Sequence, residues 1–255
     1  MADAHPNRAA LGSLQLARLR TLLATLLPAN SFYARKLAAL DPAELTNLDD
    51  FSRRYPFTVK TEIVADQQAH PPFGSNLTFP LDRYTRFHQT SGTSGAPLRW
   101  LDTASDWHAL VDNWVEVFST AGVTADDRIY FAFSFGPFLG FWTAFDAGQK
   151  IGALCLPGGG LGSVGRLRAI LDNEVTVLCC TPTYAIHLAE TAATESIDLA
   201  SSRVRRIIVA GEPGGSIPAV RARLESRWSG PHGCDHPGLT AVGPVTVVSR
   251  STPGR

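Results

Sequence analysis

The first part of the chain has apolar residues at helical spacing. Leucines recur every three or four positions over Leu11–Leu27, which predicts a helix that ends at Pro28. Ser31–Leu40 predicts a second, shorter helix. Asp66–Pro80 shows no sustained period and is rich in turn-forming residues, so we predict a loop there.

Farther along, short apolar runs alternate with segments of helical period. The predicted strands are Arg128–Phe133, Ala153–Leu156, Val175–Cys180 and Arg205–Ala210. The predicted helices are Phe138–Ile151, Ser163–Asn173, Pro182–Ala193 and Ile217–Trp228. This alternation predicts an α/β fold, with right-handed crossovers and a largely parallel sheet covered by helices on both faces. We therefore divide the chain into a helical region at 1–65 and a partial α/β domain at 66–255.

Composition and charge exclude several classes of protein. Of the 255 residues, 44% are hydrophobic and 18% are charged, and 23 basic residues balance 23 acidic ones. A broadly basic surface for nucleic acid or anionic membranes is therefore not expected. The four cysteines form no CxxC pair, Cys179 and Cys180 lie in an apolar run, and the N-terminus has no secretory pattern, so we expect a cytoplasmic protein. The uncharged stretch Ile129–Phe145 is too short and too interrupted to span a membrane, and we interpret it as buried core.

Residues 90–97, with the sequence TSGTSGAP, are the sharpest local feature. Four hydroxyl residues and two glycines in a row do not build a core, but their N–H and hydroxyl groups can converge on phosphate oxygens. The loop is not a Walker A motif, because the GxxxxGK[S/T] pattern is absent. Composition alone favours slightly the alternative, an ordinary Ser/Gly turn.

Three later loops follow predicted strands, where α/β sheets bind ligands. Aromatic residues crowd the segment 131–145, and its loop, Phe135–Phe138, either belongs to the core or walls an apolar pocket. Tyr184 occupies the equivalent loop of a later strand, with the same two interpretations. Gly211–Gly215, with the sequence GEPGG, is either a tight turn or a place where a flat ligand approaches the backbone, with Glu212 as a local acceptor.

Two further patterns favour other chemistry only weakly. Gly160–Gly165 satisfies GxGxxG between a strand and a helix, which would suit an NAD(P)-dependent oxidoreductase. That fingerprint also requires an acidic residue after the next strand, where the sequence reads Cys180 and Thr181. His232, Cys234 and His236 alternate as on one strand face, but without a distant partner pair they are a weak zinc site, and we favour a structural role.

In their order along the chain, these motifs resemble the adenylate-forming (AMP-binding) ligase superfamily, and within it the phenylacetate–CoA ligase branch. The order is TSGTSGAP, the FSFGPF loop, PGGG, TPTY, GEP and DHPGLTAVGP, over roughly Phe51–Val248, and Pro56–Lys60 resembles that branch as well. The resemblance implies that a carboxylate attacks the α-phosphate of ATP to give an acyl-adenylate, and that CoA or another thiol then accepts the acyl group. The implied partners are thus a carboxylic acid, ATP and a thiol, with Mg²⁺ as the metal.

The resemblance also implies roles for individual residues. Ser91, Gly92, Thr93, Ser94 and Gly95 would hold the phosphates of ATP. Gly211, Glu212, Pro213 and Gly238 would contact the adenine nucleotide, and Thr240 would touch the α-phosphate as the catalytic residue. Phe135, Gly136 and Tyr184 would border the acyl pocket, whose aromatic character suits an aryl or arylacetic acid such as phenylacetate.

This chain departs from the family pattern at several positions. Ala96 stands where the phosphate loop of the family has a lysine, and Arg99 nearby is not an evident replacement. Pro237 and Ala241 replace an aromatic residue and the glutamate that helps to hold Mg²⁺, and the sequence stops at Arg255, before the ribose-binding Asp and the lid domain of the family. We therefore expect a truncated ligase that is weak or inactive alone. The alternative is a non-catalytic remnant that binds a nucleotide or an acyl group.

Overall fold

The computed structural model describes residues 7–90, 96–212, 214 and 217–228, and the strand segments 232–235, 238–239, 243–244 and 248–249. The side chains of Glu225 and of those four segments lie outside this description. The chain divides into two compact units, residues 1–101 and 102–255. The division between residues 65 and 66 stays a prediction.

The first unit is mainly helical. Its longer elements are α1 (Arg8–Ala29), α2 (Ser31–Lys36), α3 (Leu48–Arg54), α4 (Lys60–Ala69) and the strand β1 (Tyr84–Gln89). The two helices predicted at its start are confirmed, although α1 includes Pro28 in its last turn and α2 ends at Lys36. Asn30 separates the two helices because its side chain accepts a hydrogen bond from the N–H of Tyr33 and caps α2.

The loop predicted over Asp66–Pro80 begins too early, since α4 continues to Ala69. Asp66 is buried, and its carboxylate accepts hydrogen bonds from the N–H of Ser75 at 2.6 Å and from the hydroxyl of Ser75 at 2.5 Å. A polar residue therefore faces inward on this helix, so the hydrophobic period on which the prediction relied is absent there.

The second unit contains the main sheet. The elements from β2 onward are β2 (Arg99–Thr103), α5 (Ala104–Thr120), β3 (Arg128–Phe131), α6 (Trp142–Lys150), β4 (Leu154–Pro157), α7 (Ser163–Asp172), β5 (Val177–Cys180), α8 (Pro182–Thr194), β6 (Arg206–Val209), α9 (Pro218–Arg227), β7 (His232–Asp235), β8 (Gly238–Leu239), β9 (Gly243–Pro244) and β10 (Val248–Ser249). The four predicted strands and four predicted helices are confirmed, with shifted ends. The helix predicted from Phe138 begins at Trp142, because Gly140 has a φ of +40° that interrupts helical backbone before it.

The main sheet has the strand order β10-β7-β6-β5-β3-β4. Neighbouring strands from β7 to β4 are parallel, and β10 pairs with β7 in the antiparallel sense. The chain moves from β3 outward to β4, then crosses back to β5 and continues to β6 and β7. This path is that of a doubly wound α/β sheet, and the largely parallel sheet that the sequence predicts is confirmed.

Successive residues of each central strand enter opposite cores. On β3, Ile129 and Phe131 pack with residues of α5 and α6, whereas Tyr130 packs with residues of α7, α8 and α9. Helix α6 covers one face as the chain moves from β3 out to β4, and α7, α8 and α9 cover the other face as it returns. These crossovers therefore have the same handedness. Helices therefore cover both faces of the sheet, and the uncharged run 129–145 contributes buried core on β3 and α6.

Helix α5 is absent from the predicted elements. Trp107, Val111, Trp114 and Phe118 on it are buried, at the three- and four-residue spacing of an amphipathic helix. Cys179 and Cys180 are buried, as predicted, and Cys155 is partly buried. In the described stretches of chain, no helix is both long and apolar enough to cross a bilayer.

Candidate active site at the carboxyl ends of the central strands

The point where the chain reverses direction across the sheet lies between β3 and β5. The chain leaves β3 through α6 on one face and leaves β5 through α8 on the other face. The loops that follow these two neighbouring strands therefore diverge and leave a crevice at their carboxyl ends. Three segments predicted to contain site residues lie along this edge: the loop 132–141, Thr181–Tyr184 and Gly211–Glu212.

The aromatic loop after β3 is held in one conformation by its own side chains. The ring of Phe135 lies edge-on to Trp142 and to Phe133, with centroids 4.8 and 5.7 Å apart. The indole N–H of Trp142 donates a hydrogen bond to the carbonyl oxygen of Gly136 at 3.1 Å. Phe135 has a φ of +53°, a strained value for a residue with a side chain, and the surrounding rings maintain it.

The segment after β5 begins helix α8. Thr181 caps the helix by accepting a hydrogen bond from the N–H of Tyr184 at 3.3 Å, and Pro182 occupies the first helical position. The ring of Tyr184 is half-buried between α7 and α8, with its hydroxyl oxygen 3.1 Å from the hydroxyl of Ser163. The first turn of α8 therefore presents a fixed aromatic ring at the sheet edge.

Glu212 links the loop after β6 to the start of α8. Its Oε1 accepts a hydrogen bond from the N–H of Thr183 at 2.8 Å and another from the hydroxyl of the same residue. Burial alone would raise the pKa of the Glu212 carboxyl group, but the hydrogen bonds from Thr183 and Thr181 outweigh it, so this pKa is lowered. Glu212 is therefore an anion with a fixed position. Gly211 before it has a φ of +91°, which favours glycine at this turn.

The predicted residues share one edge but face different sides of the sheet. Phe135 packs with the core that contains α6, and Tyr184 packs with the core that contains α8. Glu212 is hydrogen-bonded to Thr183, next to Tyr184 in the chain. Gly238 lies in β8. Outside the described residues lie Ser91, Gly92, Thr93, Ser94, Gly95, Pro213 and Thr240.

The sequence reasoning missed two polar residues of this edge, Ser163 and Arg166, on the first turns of α7. The Nε of Arg166 donates to the carbonyl oxygen of Gly158 at 2.9 Å, and its guanidinium lies 5.0 Å from the ring centroid of Tyr184. Their position just after a strand and a run of glycines was the available signal. The strand–loop–helix context predicted for Gly160–Gly165 is confirmed, with β4 as an edge strand of the sheet.

Among the described residues, metal ligands do not converge at this edge. No group of three or more His, Cys, Asp or Glu side chains that could hold an ion occurs among the described residues. His232 and Cys234 lie in β7 without described side chains, and His236 lies outside the described residues. The expected Mg²⁺ thus has no ligand set in the part of the chain that the structure describes.

Comparisons with curated proteins find phenylacetate–CoA ligases. The ligase of Thermus thermophilus is 28% identical over 220 residues, which cover 86% of this chain and 48% of the relative. The ligase of Escherichia coli is 29% identical over 224 residues and that of Aromatoleum evansii is 28% identical over 238 residues, covering 85% and 91% of this chain. The chain spans about half the length of these relatives (48–51%). No protein-family profile matches it.

Solved structures show the same relationship. A 2-hydroxyisobutyryl-CoA ligase in complex with 2-HIB-AMP and CoA matches 91% of this chain and 54% of its own, with a TM-score of 0.86 and 27% identity. A malonyl-CoA ligase shares the fold alone, at 17% identity and a TM-score of 0.51 over 66% of this chain. The chain is therefore related, in sequence and in fold, to the acyl-adenylating CoA ligases.

Proposed function

We propose that the protein acts in ATP-dependent carboxylate–CoA ligation. The observation that carries this proposal is the fold match, at a TM-score of 0.86, to a ligase whose structure contains an acyl-adenylate and CoA. The match covers 91% of this chain and 54% of the matched chain. A fold alone does not define an activity, so the residues at that edge must account for the chemistry.

The proposed reaction has two steps. A carboxylate oxygen attacks the α-phosphorus of ATP, an O–P bond forms, and the bond to the β-phosphate oxygen breaks with release of pyrophosphate. A thiol sulfur, deprotonated in the process, then attacks the acyl carbon, and AMP leaves as the C–O bond breaks. Binding both reactants side by side supplies much of the acceleration expected of such a site.

In this proposal the adenylate lies against the loop after β6. Gly211, in its left-handed conformation, leaves the backbone open to a flat ligand, and Glu212 is fixed beside it by Thr183. A fixed acceptor at this place suits the donors of an adenine ring or ribose. Contacts from the phosphate loop 91–95, from Pro213 and Gly238, and from Thr240 to the α-phosphate remain part of the proposal.

The acid would lie in the crevice between β3 and β5. In the proposal, Phe135 and Gly136, in the loop after β3, and Tyr184, at the start of α8, would border it. Rings held by other rings and by hydrogen bonds would form an apolar wall that is ordered before any ligand binds, which would favour flat aryl or arylacetic acids. This geometry supports an aromatic acid such as phenylacetate over a flexible aliphatic one.

The chain lacks two charges that the resemblance leads us to expect. Ala96 replaces a lysine, and Ala241 replaces the glutamate that would help to hold Mg²⁺. The described residues include no ligand set for a metal ion. A missing lysine removes a charge-assisted hydrogen bond to phosphate, so we expect slow adenylation by this chain.

ATP–pyrophosphate exchange tests the proposal. The 255-residue chain is assayed with phenylacetate, benzoate and hexanoate, and we expect slow exchange that depends on the aryl acids. Glu212→Ala should weaken the binding of a non-hydrolysable acyl-adenylate mimic in calorimetry, whereas Glu195→Ala, an exposed residue at the far end of α8, should not. A chain that binds neither ATP nor the mimic would contradict the proposal.

The second candidate function is nucleotide or acyl binding without turnover. The replacement of both charged residues by alanine favours it, because binding of the adenine and acyl groups does not require them. Calorimetry separates the two candidates: ATP binding with no exchange for any acid indicates a binding protein, and acid-dependent exchange indicates a ligase.

A further inference from the structure

Arg166 is a cation at the crevice whose charge no described residue neutralises. Its Nε donates to the carbonyl oxygen of Gly158 at 2.9 Å, and its Nη1 makes a longer contact of 3.4 Å with the carbonyl oxygen of Ala132. No carboxylate forms an ion pair with it in the described part of the chain. Of the five N–H donors of a guanidinium, those on the Nη1–Nη2 edge are thus largely unused, and that edge matches a carboxylate in a two-point hydrogen bond.

Hydroxyl and imidazole groups lie on the same side of the crevice. The hydroxyl of Ser163 lies 3.1 Å from the hydroxyl of Tyr184 and 3.1 Å from Nε2 of His187. The guanidinium of Arg166 stands 5.0 Å from the centroid of the Tyr184 ring. These groups therefore give this side of the crevice a polar, positively charged character.

Tyr130 gives a second, independent indication of a ligand. Its side chain is 1% exposed, and its hydroxyl has no hydrogen-bond partner among the described residues. A Cβ atom placed on Gly158 would lie 2.8 Å from this hydroxyl, so the unpartnered oxygen lies beside the residue that binds Arg166. Burial raises the pKa of Tyr130, and the positive charge of Arg166 opposes this, which places the two groups within electrostatic range. A buried hydroxyl without a partner can be satisfied by a ligand or by a bound water molecule.

The order of the strands sets the distance between the two ends of the edge. Glu212 follows β6, Tyr184 follows β5, and Gly158 follows β4, in the spatial order β6-β5-β3-β4. The guanidinium of Arg166 reaches back from Gly158 to the carbonyl oxygen of Ala132, just after β3, so two strand spacings of about 4.8 Å, roughly 10 Å in all, separate it from the β6 end. An acyl-adenylate that extends from the β6 loop along this edge would bring the far end of its acyl group to Arg166.

We propose that Arg166, together with Tyr184 and Ser163, binds a second carboxylate at the far end of the acid, so that the substrate is an aromatic dicarboxylic acid. The inference rests on the proposed function, because it assigns the orientation of the acid from the position of the adenylate. One carboxylate reacts near the β6 end of the edge. The other pairs with the guanidinium and accepts a hydrogen bond from a hydroxyl.

A purely structural role for Arg166 makes a different prediction. The two carbonyl contacts connect the ends of β3 and β4, so a residue that only connects them would affect all ligands alike. A carboxylate-binding residue instead affects only acids with a second charge. The two roles are therefore distinguished by comparing the affinities of acids that have a similar shape but differ in the second carboxylate.

The test compares three acids with one ring and different para substituents: phenylacetate, 4-methylphenylacetate and 4-carboxyphenylacetate. Dissociation constants are measured by calorimetry on the full chain, in the presence of a non-hydrolysable ATP analogue. We expect the dicarboxylate to bind about tenfold more tightly than the methyl compound, and Arg166→Gln to abolish this preference. Arg166→Lys, which keeps the charge without the planar fork, should restore part of it. Arg168→Gln removes the same charge from an exposed position on the same helix and should leave the preference for the dicarboxylate unchanged.

The outcomes separate this inference from the proposed function. Equal affinity of the wild-type chain for all three acids overturns the inference and leaves the ligase proposal standing. Equal weakening of all three acids by Arg166→Gln assigns Arg166 the structural role and also overturns it. If neither the ATP analogue nor any acid binds, the proposed function fails and the inference fails with it. The melting temperature of each variant without ligand shows whether the fold is retained.

Discussion

At the residue scale, Glu212 shows how a side chain near the surface acquires a fixed position. The N–H and hydroxyl of Thr183 both donate to its carboxylate, and the N–H belongs to the first turn of α8. An anion at the N-terminus of a helix also interacts favourably with the partial positive charge there. The interaction orients Glu212 and satisfies a helix N–H that would otherwise lack a partner.

Glu212→Gln should lower the free energy of unfolding near neutral pH by about 1 kcal/mol, because the amide loses the charge-assisted part of these hydrogen bonds. The pKa of Glu212 is lower in the folded protein than the value of about 4.3 in an unfolded chain. Its contribution is therefore complete above the unfolded pKa and is lost as the pH falls through the folded pKa. Urea unfolding at a series of pH values checks this.

The difference between wild type and Glu212→Gln should thus be constant from about pH 7 to about pH 5 and shrink at lower pH. Glu195→Gln provides the matched control, since it removes the same charge from an exposed position at the end of α8. If the difference in free energy of unfolding stays the same at low pH, the hydrogen bonds do not depend on the ionised form of Glu212.

At the scale of elements, Asp127 connects the three strands that support the site, at the ends opposite to it. Asp127 precedes β3, Thr176 precedes β5 and Arg205 precedes β6. The carboxylate of Asp127 accepts a hydrogen bond from the hydroxyl of Thr176 at 2.5 Å and forms an ion pair with Arg205 at 2.6 Å. Its side chain is 2% exposed, so water does not replace these partners if they are lost.

Asp127→Ala should destabilise the protein by about 2 kcal/mol, because the N–H of Thr124 and the hydroxyl of Thr176 lose their acceptor. The half-exposed guanidinium of Arg205 regains water and adds little to the loss. Asp126→Ala, at the exposed neighbouring position, should change stability by less than about 0.5 kcal/mol. Similar urea midpoints for the two variants would contradict a connecting role for Asp127.

Elements whose pattern is regular were predictable from the sequence, and those stabilised by distant contacts were not. Strands β3, β5 and β6 are short apolar runs, so their positions follow directly from the sequence. Helix α4 contains a buried carboxylate whose partner is Ser75, and no local pattern indicates that contact. Helix α5 has the period of an amphipathic helix in Trp107, Val111 and Trp114, so this helix, too, can be predicted from the sequence.

The same contrast holds for the candidate site. Tyr184 and Glu212 follow predicted strands, and their loops were correctly placed at one edge of the sheet. The order of β3, β4 and β5 could not be obtained from the sequence, because parallel strands joined by helices can pair in several orders. That order brings Arg166 to Gly158 and Tyr184. The positively charged end of the crevice therefore became visible only in the structure.

At the scale of the whole molecule, the balance of positive and negative charges means that only nearby charges contribute much to the binding of an ion. The 23 basic and 23 acidic residues cancel, so long-range attraction gives little help in binding a polyanion such as ATP. Affinity for phosphate must then come from individual cations within the screening length, about 8 Å at physiological ionic strength. In the proposed nucleotide site, we therefore expect the alanine at position 96 to matter more than it would in a strongly basic protein.

Ala96→Lys should therefore strengthen ATP binding by about tenfold, the effect of one charge-assisted hydrogen bond of roughly 1.4 kcal/mol. The variant raises the net charge by one unit. Ala125→Lys is the control, because it raises the net charge equally at an exposed position before β3, at the amino ends of the strands. If the effect is local, only the first variant binds ATP more tightly in calorimetry. Its advantage should also decrease as salt is added. Equal gains from both lysines would instead attribute the effect to net charge, and would remove Ala96 from the proposed nucleotide site.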